Sequence, residues 1–266
     1  MDSLLFREYI KENFMANATG RVQETLPKVA ILPPKTIRVV PDCLVTLCKR
    51  VDSLPLNHPA VGYVDGRKIP QSAWKKLYYT DDFAALARSL DSTIEEGQLK
   101  SEPRLVLPYF DCDKNLFAIQ GRLFIRPCLG IRYLTIKKEG ITTPKIYGMD
   151  AVNFSVRNYA VEGPIDSLFL RNAWALSGSD VDLKSLPFDV SNTIFAYDNE
   201  PRNEEIVSRM NRRIDEGYSI VIWPNDLKQK YINDMVLAGM NPQKLIESCT
   251  YKGLTAKIRF NNWKKV

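Results

Sequence analysis

From about residue 158 the apolar positions switch between short continuous runs and helical spacing. Tyr159-Ala160-Val161-Glu162 reads as a short strand, Gly163-Pro164 turns the chain, and Ile165–Arg171 begins a helix. Asn192–Tyr197 is an apolar run of the length of a buried strand. Glu204–Glu216 is amphipathic: Ile206, Met210 and Ile214 recur at spacing four, and Gly217 is a fitting stop. Ser219–Trp223 is the next buried strand. Asn241-Pro242 then opens a final helix, with Asn at the cap and Pro at the first helical position. Strands alternating with helices predict an α/β fold with a parallel, doubly wound sheet.

The upstream half is patterned differently. Gln71–Tyr79 and Asp81–Leu90 predict two helices, with Thr80 as the N-cap between them. Arg104–Phe110 and Leu116–Arg122 predict a hairpin through the turn Asp111–Asn115. The acids of that turn, Asp111 and Asp113, read as turn residues bonding their own backbone rather than as metal ligands. Near the start, Leu4–Phe14 predicts a short apolar helix. Pro27, Pro33, Pro34 and Pro41 then break the chain into an extended arm, so ordered structure is expected from about Val51. The arm is expected to dock on the core or on a partner, with the proline segment as tether. The expected divisions are an arm over 1–50, a small α/β subdomain over 51–157, a parallel-sheet subdomain over 158–250 and a basic strand or tail over 251–266.

Composition narrows the chemistry. The chain has 266 residues, 45% hydrophobic and 26% charged, which is ordinary for a globular protein. No apolar run reaches transmembrane length, and the first residues lack a basic region leading into an apolar core. A cytoplasmic protein that does not engage a membrane is expected. The five cysteines are scattered and odd in number, which argues against a disulfide framework. His58 is the single histidine, and no four-ligand zinc set can be assembled, so no structural zinc is expected. The same scarcity excludes histidine-based triads and zincin sites. Chemistry falls to carboxylates.

In α/β sheets functional groups gather at the carboxyl ends of strands. Glu162 ends the first strand of the second half, and Asp198 and Glu200 follow the next in Tyr197-Asp198-Asn199-Glu200. Asp234 follows the third after a loop. Glu162, Asp198 and Asp234 are spaced 36 residues apart, about one βαβ unit each, which allows them to sit side by side at one sheet edge. Converging carboxylates without histidine make a hard oxygen site suited to Mg²⁺ or Mn²⁺, ions that commonly serve phosphoryl transfer. Spacing alone favours loop acids and helix caps over a metal site.

Specific motifs carry a resemblance. Glu162-Gly163-Pro164-Ile165-Asp166 resembles the Glu-Gly-x-x-Asp motif of Toprim domains, Asp198-Asn199-Glu200 their Asp-x-Asp motif, and Ile232-Asn233-Asp234 the acidic stretch that follows. Upstream, Arg104-x-x-x-Pro108, Gly121-Arg122, Arg132-Tyr133-Leu134 and Tyr147-Gly148 resemble the half of a bacterial or phage primase core that precedes Toprim. The resemblance covers about residues 60 to 250. It departs from the family pattern at Glu200, one methylene longer than Asp, and at Pro201-Arg202-Asn203, where a small Ala-Gly pair is usual. The zinc module of such primases has no counterpart, and no Gly-x-x-x-x-Gly-Lys loop occurs.

The resemblance implies a Toprim-type parallel sheet flanked by helices, preceded by a smaller primase-type α/β subdomain. It implies a metal site of Glu162, Asp198, Glu200 and Asp234 holding a pair of Mg²⁺ or Mn²⁺ ions, with Glu162 as a ligand or as general acid/base. Between Gln120 and Gly148 lie Arg122, Arg126, Arg132, Lys137, Lys138 and Lys145 against the single acid Glu139. Arg122, Arg132 and Lys145 are the candidate contacts to nucleotide or template phosphates. After Tyr251 the chain carries five basic residues and no acid, with Phe260 and Trp263 able to stack on bases or, alternatively, with the lysines protecting a solvated edge strand. The implied activity is synthesis of short RNA primers on a single-stranded DNA template from ribonucleoside triphosphates, with a replicative helicase as possible partner. Two rivals are a Toprim nuclease or topoisomerase-related protein and a non-catalytic replication module.

Overall fold

The computed structural model describes residues 41–125, 130–178, 181–186 and 188–266. The expected helix at Leu4–Phe14, most of the proline arm, and Arg126 lie outside the described residues. Order begins earlier than Val51. Helix α1 (Asp42–Thr46) buries Leu44, and strand β1 (Lys49–Arg50) pairs with a second strand, so residues assigned to the arm belong to the fold.

The first half continues with α2 (Pro59–Gly66), α3 (Gln71–Trp74), β2 (Tyr78–Thr80), α4 (Phe83–Leu90), β3 (Arg104–Phe110), β4 (Leu116–Arg122) and β5 (Tyr133–Lys137). The strands form an antiparallel sheet in the order β1-β2-β3-β4-β5. The hairpin is as expected, and its turn is closed by Asp111, whose carboxylate accepts the Asn115 amide at 2.8 Å. The expected helix over Gln71–Tyr79 stops at Trp74. Tyr78-Tyr79-Thr80 instead makes a strand, the state that β-branched and aromatic side chains favour when a neighbouring strand is free to pair. The cap of α4 is accordingly Asp82, which accepts the Ala85 amide at 3.0 Å, and not Thr80. Gly121 in β4 is obligatory: a Cβ there would collide with the Phe83 ring and the Arg104 side chain.

The second half holds β6 (Asn158–Val161), α5 (Pro164–Ser167), β7 (Ala173–Ala175), β8 (Thr193–Ala196), α6 (Glu204–Asp215), β9 (Ser219–Val221), α7 (Ile232–Leu237), α8 (Pro242–Ser248), β10 (Thr250–Tyr251) and α9 (Gly253–Trp263). Its sheet runs β10-β9-β8-β6-β7, parallel except for the antiparallel edge strand β10. Asn158 is fully buried and locks the centre of this sheet. Its Oδ1 accepts from Trp174 Nε1 at 2.9 Å and from Thr193 Oγ1 at 2.7 Å, joining β6 to β7 and β8. Removing that acceptor would strand two buried donors at about 1–3 kcal/mol each. The helix expected at Ile165–Arg171 ends after one turn at Ser167.

The C-terminal stretch is the largest departure. Residues 253–263 are helical, and Ala256, Phe260 and Trp263 fall at helical spacing on one buried face. Phe260 and Trp263 are each 2% exposed, so they are core residues and do not stack on bases. The lysines and arginines of this stretch dominate its composition and masked that three-residue apolar stripe. Asn241 does cap α8 as expected, accepting the Lys244 amide at 3.0 Å, but α8 is not the final helix. One main hydrophobic cluster contains residues from both sheets, among them Leu107 and Ala118 of the first and Val161, Phe195 and Val221 of the second.

Candidate active site

The parallel strands deliver the acids. Glu162 stands directly after β6, and Asp198 follows the neighbouring strand β8 by two residues. Because β6 and β8 are adjacent, the two carboxylates meet: the Asp198 amide donates to Glu162 Oε2 at 3.4 Å, and the two side chains share a hydrogen bond. Arg209 on α6 reaches Glu162 Oε1 at 3.4 Å and also pairs with Glu205. Burial raises both carboxyls of the pair. For Asp198 the like charges of Glu162 and Asp166 add to the desolvation, and it is held far above the usual carboxylate range.

The Glu-Gly-x-x-Asp motif has a structural logic. Gly163 leaves room for Asp166, since a Cβ there would press on Asp166 Oδ2. Asp166 is driven up to about 6 by burial, against the backbone hydrogen bond from Asn233 and the nearby Arg67 charge. Asn233, itself 2% exposed, donates its amide N–H to Asp166 at 2.9 Å and its side-chain N–H to the Arg67 carbonyl at 2.8 Å, while accepting from the Arg67 guanidinium. It thereby ties α7 to the short helix α5 that follows β6 and to the end of α2.

Asn199, between the two acids of Asp198-Asn199-Glu200, is a second tie. Its Nδ2 donates to the carbonyls of Leu227 and Gln229 at 2.9 and 3.2 Å, and its Oδ1 accepts from Trp263 Nε1 at 3.2 Å. The C-terminal helix thus braces the acidic loop.

The antiparallel sheet faces these acids with cations. Arg122, at the end of β4, is nearly buried; its Nε donates to Tyr63 Oη at 3.0 Å and its guanidinium lies 4.1 Å over the Tyr133 ring. A cleft of about 500 Å³ is lined by Glu162, Asp166 and Asp198 of the parallel half, by Gln120, Arg122 and Arg132 of the antiparallel half, and by Asp234 of α7. A wider cavity of about 720 Å³ adjoins it and shares Arg67, Arg122, Arg132 and Asp234 with it.

Five of the seven expected site residues therefore line one cleft: Glu162, Asp198, Asp234, Arg122 and Arg132. Glu200 and Lys145 are not in its lining. Glu200 instead pairs with Lys230 at 2.8 Å. Sequence reasoning passed over Asp166, Arg67, Arg209 and Gln120 as site residues. Asp166 was legible in the motif itself; the others are brought in only by tertiary contacts. Among the described residues no group of three or more His, Cys, Asp or Glu side chains is arranged to hold a metal ion. No described helix is long and apolar enough to cross a membrane.

No protein-family model matches the chain. A curated relative does: it is 33% identical over 268 residues to the DNA primase of Enterobacteria phage T4, covering 98% of this chain and 75% of that protein. The chain belongs to the DNA primase family. Solved structures agree on the fold. A DnaG primase catalytic domain bound to single-stranded DNA superposes with a TM-score of 0.59 at 15% identity, over 83% of this chain and 80% of that one. The E. coli primase catalytic core gives 0.53 at 14% identity, over 80% and 79% of the two chains. The primase fragment of the bacteriophage T7 primase-helicase protein gives 0.50 at 13%, over 86% and 81%. The expected fold class, a Toprim-type parallel sheet preceded by a primase-type α/β half, is the one these neighbours share.

Proposed function

We propose that the cleft between the two sheets is where this primase joins ribonucleotides into a short RNA primer on a single-stranded DNA template. The observation that carries the reading is the meeting of a buried carboxylate pair, Glu162 and Asp198, with two arginines, Arg122 and Arg132, around one cavity. In the reaction the 3′-hydroxyl of one nucleotide attacks the α-phosphate of the next. The bond to the β-phosphate breaks and pyrophosphate leaves.

The donor set fits a hard divalent cation, Mg²⁺ or Mn²⁺. Two adjacent buried carboxylates repel each other and hold a proton that such an ion would displace. A site of only two or three acids is normal for Mg²⁺ when substrate phosphates complete the coordination. Glu162 and Asp198 would hold the ion, with Asp234 at the rim. Bound there, it would supply Lewis-acid stabilisation of charge on the transferring phosphoryl group. Glu200 is neutralised by Lys230, so the reading calls for one protein-held ion and not the pair that the motif resemblance implies.

The chain's own groups do the rest. Arg122, stiffened by Tyr63 and Tyr133, offers a fixed cation to phosphate oxygens, and the more exposed Arg132 extends that surface along the template path. The T7 neighbour is part of a primase-helicase protein, which supports a replicative helicase as the partner of this chain. The test is incubation with single-stranded DNA, all four ribonucleotides and Mg²⁺, resolved on a gel. Short labelled RNA is expected. Shortened DNA would replace the reading with a nuclease, and neither product would replace it with a non-catalytic module.

A further inference from the structure

Gln120 lies on β4 two residues before Arg122, so both side chains are on the same face of the antiparallel sheet. That face carries Ala118 into the cluster shared with the second sheet, whereas Phe110 and Ile119 pack in a separate cluster behind it. Gln120 is 7% exposed. Its Nε2 donates to Thr135 Oγ1 at 3.1 Å, and Thr135 is its register partner on β5, so the amide is fixed in orientation. Its Oε1 accepts nothing. Among the described residues only one other buried side-chain polar atom, Arg213 Nε, lacks a partner.

A buried acceptor left unpaired loses its hydration and gains nothing, and native proteins rarely keep one without a use. Arg213 is held by Glu216 and by the Val181 carbonyl and is not in the cleft lining. Gln120 is in it, on the same strand face as the phosphate-binding Arg122 and in one cavity with Glu162 and Asp198. A nucleotide whose phosphates sit between those groups brings its sugar, before its base, next to them. The donors a sugar offers are its hydroxyls.

We infer that Gln120 is a specificity-determining residue: its Oε1 accepts a hydrogen bond from the 2′-hydroxyl of a ribonucleotide bound in the cleft. The inference rests on the nucleotidyl-transfer reading above and adds a means of refusing deoxynucleotides. A deoxynucleotide has no donor there and leaves the amide oxygen desolvated and unpaired. Selectivity built on one such bond is worth about tenfold in affinity.

Equilibrium binding of three nucleotides by calorimetry, without template, tests it. The probes are ATP, 2′-deoxy-ATP, and purine riboside triphosphate, which keeps the 2′-hydroxyl and lacks the base amino group. The wild type should bind ATP and purine riboside triphosphate alike, and both about tenfold more tightly than 2′-deoxy-ATP. Gln120→Met keeps the volume and removes the acceptor, so it should bind all three at the deoxynucleotide level. Thr135→Val, which releases the amide without touching the sheet backbone, should narrow the same gap and serves should Gln120→Met fail to fold. Full ATP preference in both variants would overturn the inference. So would a wild type that discriminates purine riboside triphosphate instead, because the donor would then be a base amino group. No nucleotide binding by the wild type would contradict the nucleotidyl-transfer reading itself and this inference with it.

Discussion

The antiparallel sheet reaches the cleft through its face, and the parallel sheet reaches it through its strand ends. Gln120 and Arg122 are successive inward positions of β4, with Tyr133 as register partner to Arg122, so this half presents a rigid row of side chains set by strand pairing. Glu162 and Asp198 instead stand on loops just beyond β6 and β8, and their positions depend on what braces those loops: Asn199, Asn233 and the C-terminal Trp263. The difference teaches where each kind of chemistry is placed. Cations that hold a polymer of phosphates can be mounted on a stiff surface. Carboxylates that must be brought together against their own repulsion need a scaffold to force the approach, and helix, loop and strand ends supply it.

The largest expected effect is on the parallel half. Asp198→Asn removes one of the two charges proposed to hold the cation while keeping the shape, and primer synthesis should fall at least about 100-fold, the scale of several kcal/mol of charge stabilisation. Normal activity would remove Asp198 from the mechanism. Next comes the brace. Trp263→Ala empties a core position and cuts the hydrogen bond to Asn199, so thermal unfolding should show a loss of about 3–5 kcal/mol. Single-strand binding by the folded fraction should survive, since Trp263 is buried and out of reach of bases. A stable variant that no longer binds DNA would return the C-terminal helix to the nucleic-acid surface.

A third effect is on pH. The carboxyl of Asp198 lies near 3.8 when free and is pushed up to about 9 in the fold by burial and by Glu162. A group that holds its proton more tightly folded than unfolded stabilises the fold below its unfolded value and loses that contribution as pH rises through its folded value. The metal-free protein should therefore lose stability between about pH 4 and about pH 9, and Mg²⁺ should restore it at the alkaline end. In Asp198→Asn the slope should flatten and the melting temperature at about pH 8 without metal should rise. A wild-type curve that is flat over this range would contradict the repulsive pair. The smallest effect concerns Lys230. Its bond to Glu200 is partly exposed, so Lys230→Met should cost no more than about 1 kcal/mol and alter Mn²⁺ affinity no more than about threefold. A much larger drop would put Lys230 in the machinery.

Much of this site was legible in the sequence because motif and topology speak about the same places. An acid after each of two parallel strands is a local pattern, whereas the adjacency of β6 and β8 is set by the sheet order, in which the intervening β7 takes the outer edge beside β6. Arg122 and Arg132 were legible as part of the motifs that flank β4 and β5. Glu200 lies outside the cleft lining: spacing says nothing about which side of a loop a carboxylate takes, and here it pairs with Lys230. Lys145 was read from local charge density, which does not say that a side chain reaches a cleft. Tyr78-Tyr79-Thr80 was hidden because a three-residue strand carries too short a pattern to break a helix reading without knowledge of its partner β3. The C-terminal helix was hidden by its basic surface, although Ala256, Phe260 and Trp263 stood in register for it.

The division of labour between the sheets is tested most directly by crossing two binding measurements over two variants. Mn²⁺ binding is followed by electron paramagnetic resonance, and single-stranded DNA binding is followed as a function of salt. Glu162→Gln with Asp198→Asn should abolish tight Mn²⁺ binding and leave the salt dependence of DNA binding intact. Arg122→Ala with Arg132→Ala should leave Mn²⁺ binding intact and flatten the salt slope by about 0.7 for each DNA phosphate that the arginines no longer neutralise. Loss of Mn²⁺ binding in the arginine variant, or an unchanged slope there, would contradict the account.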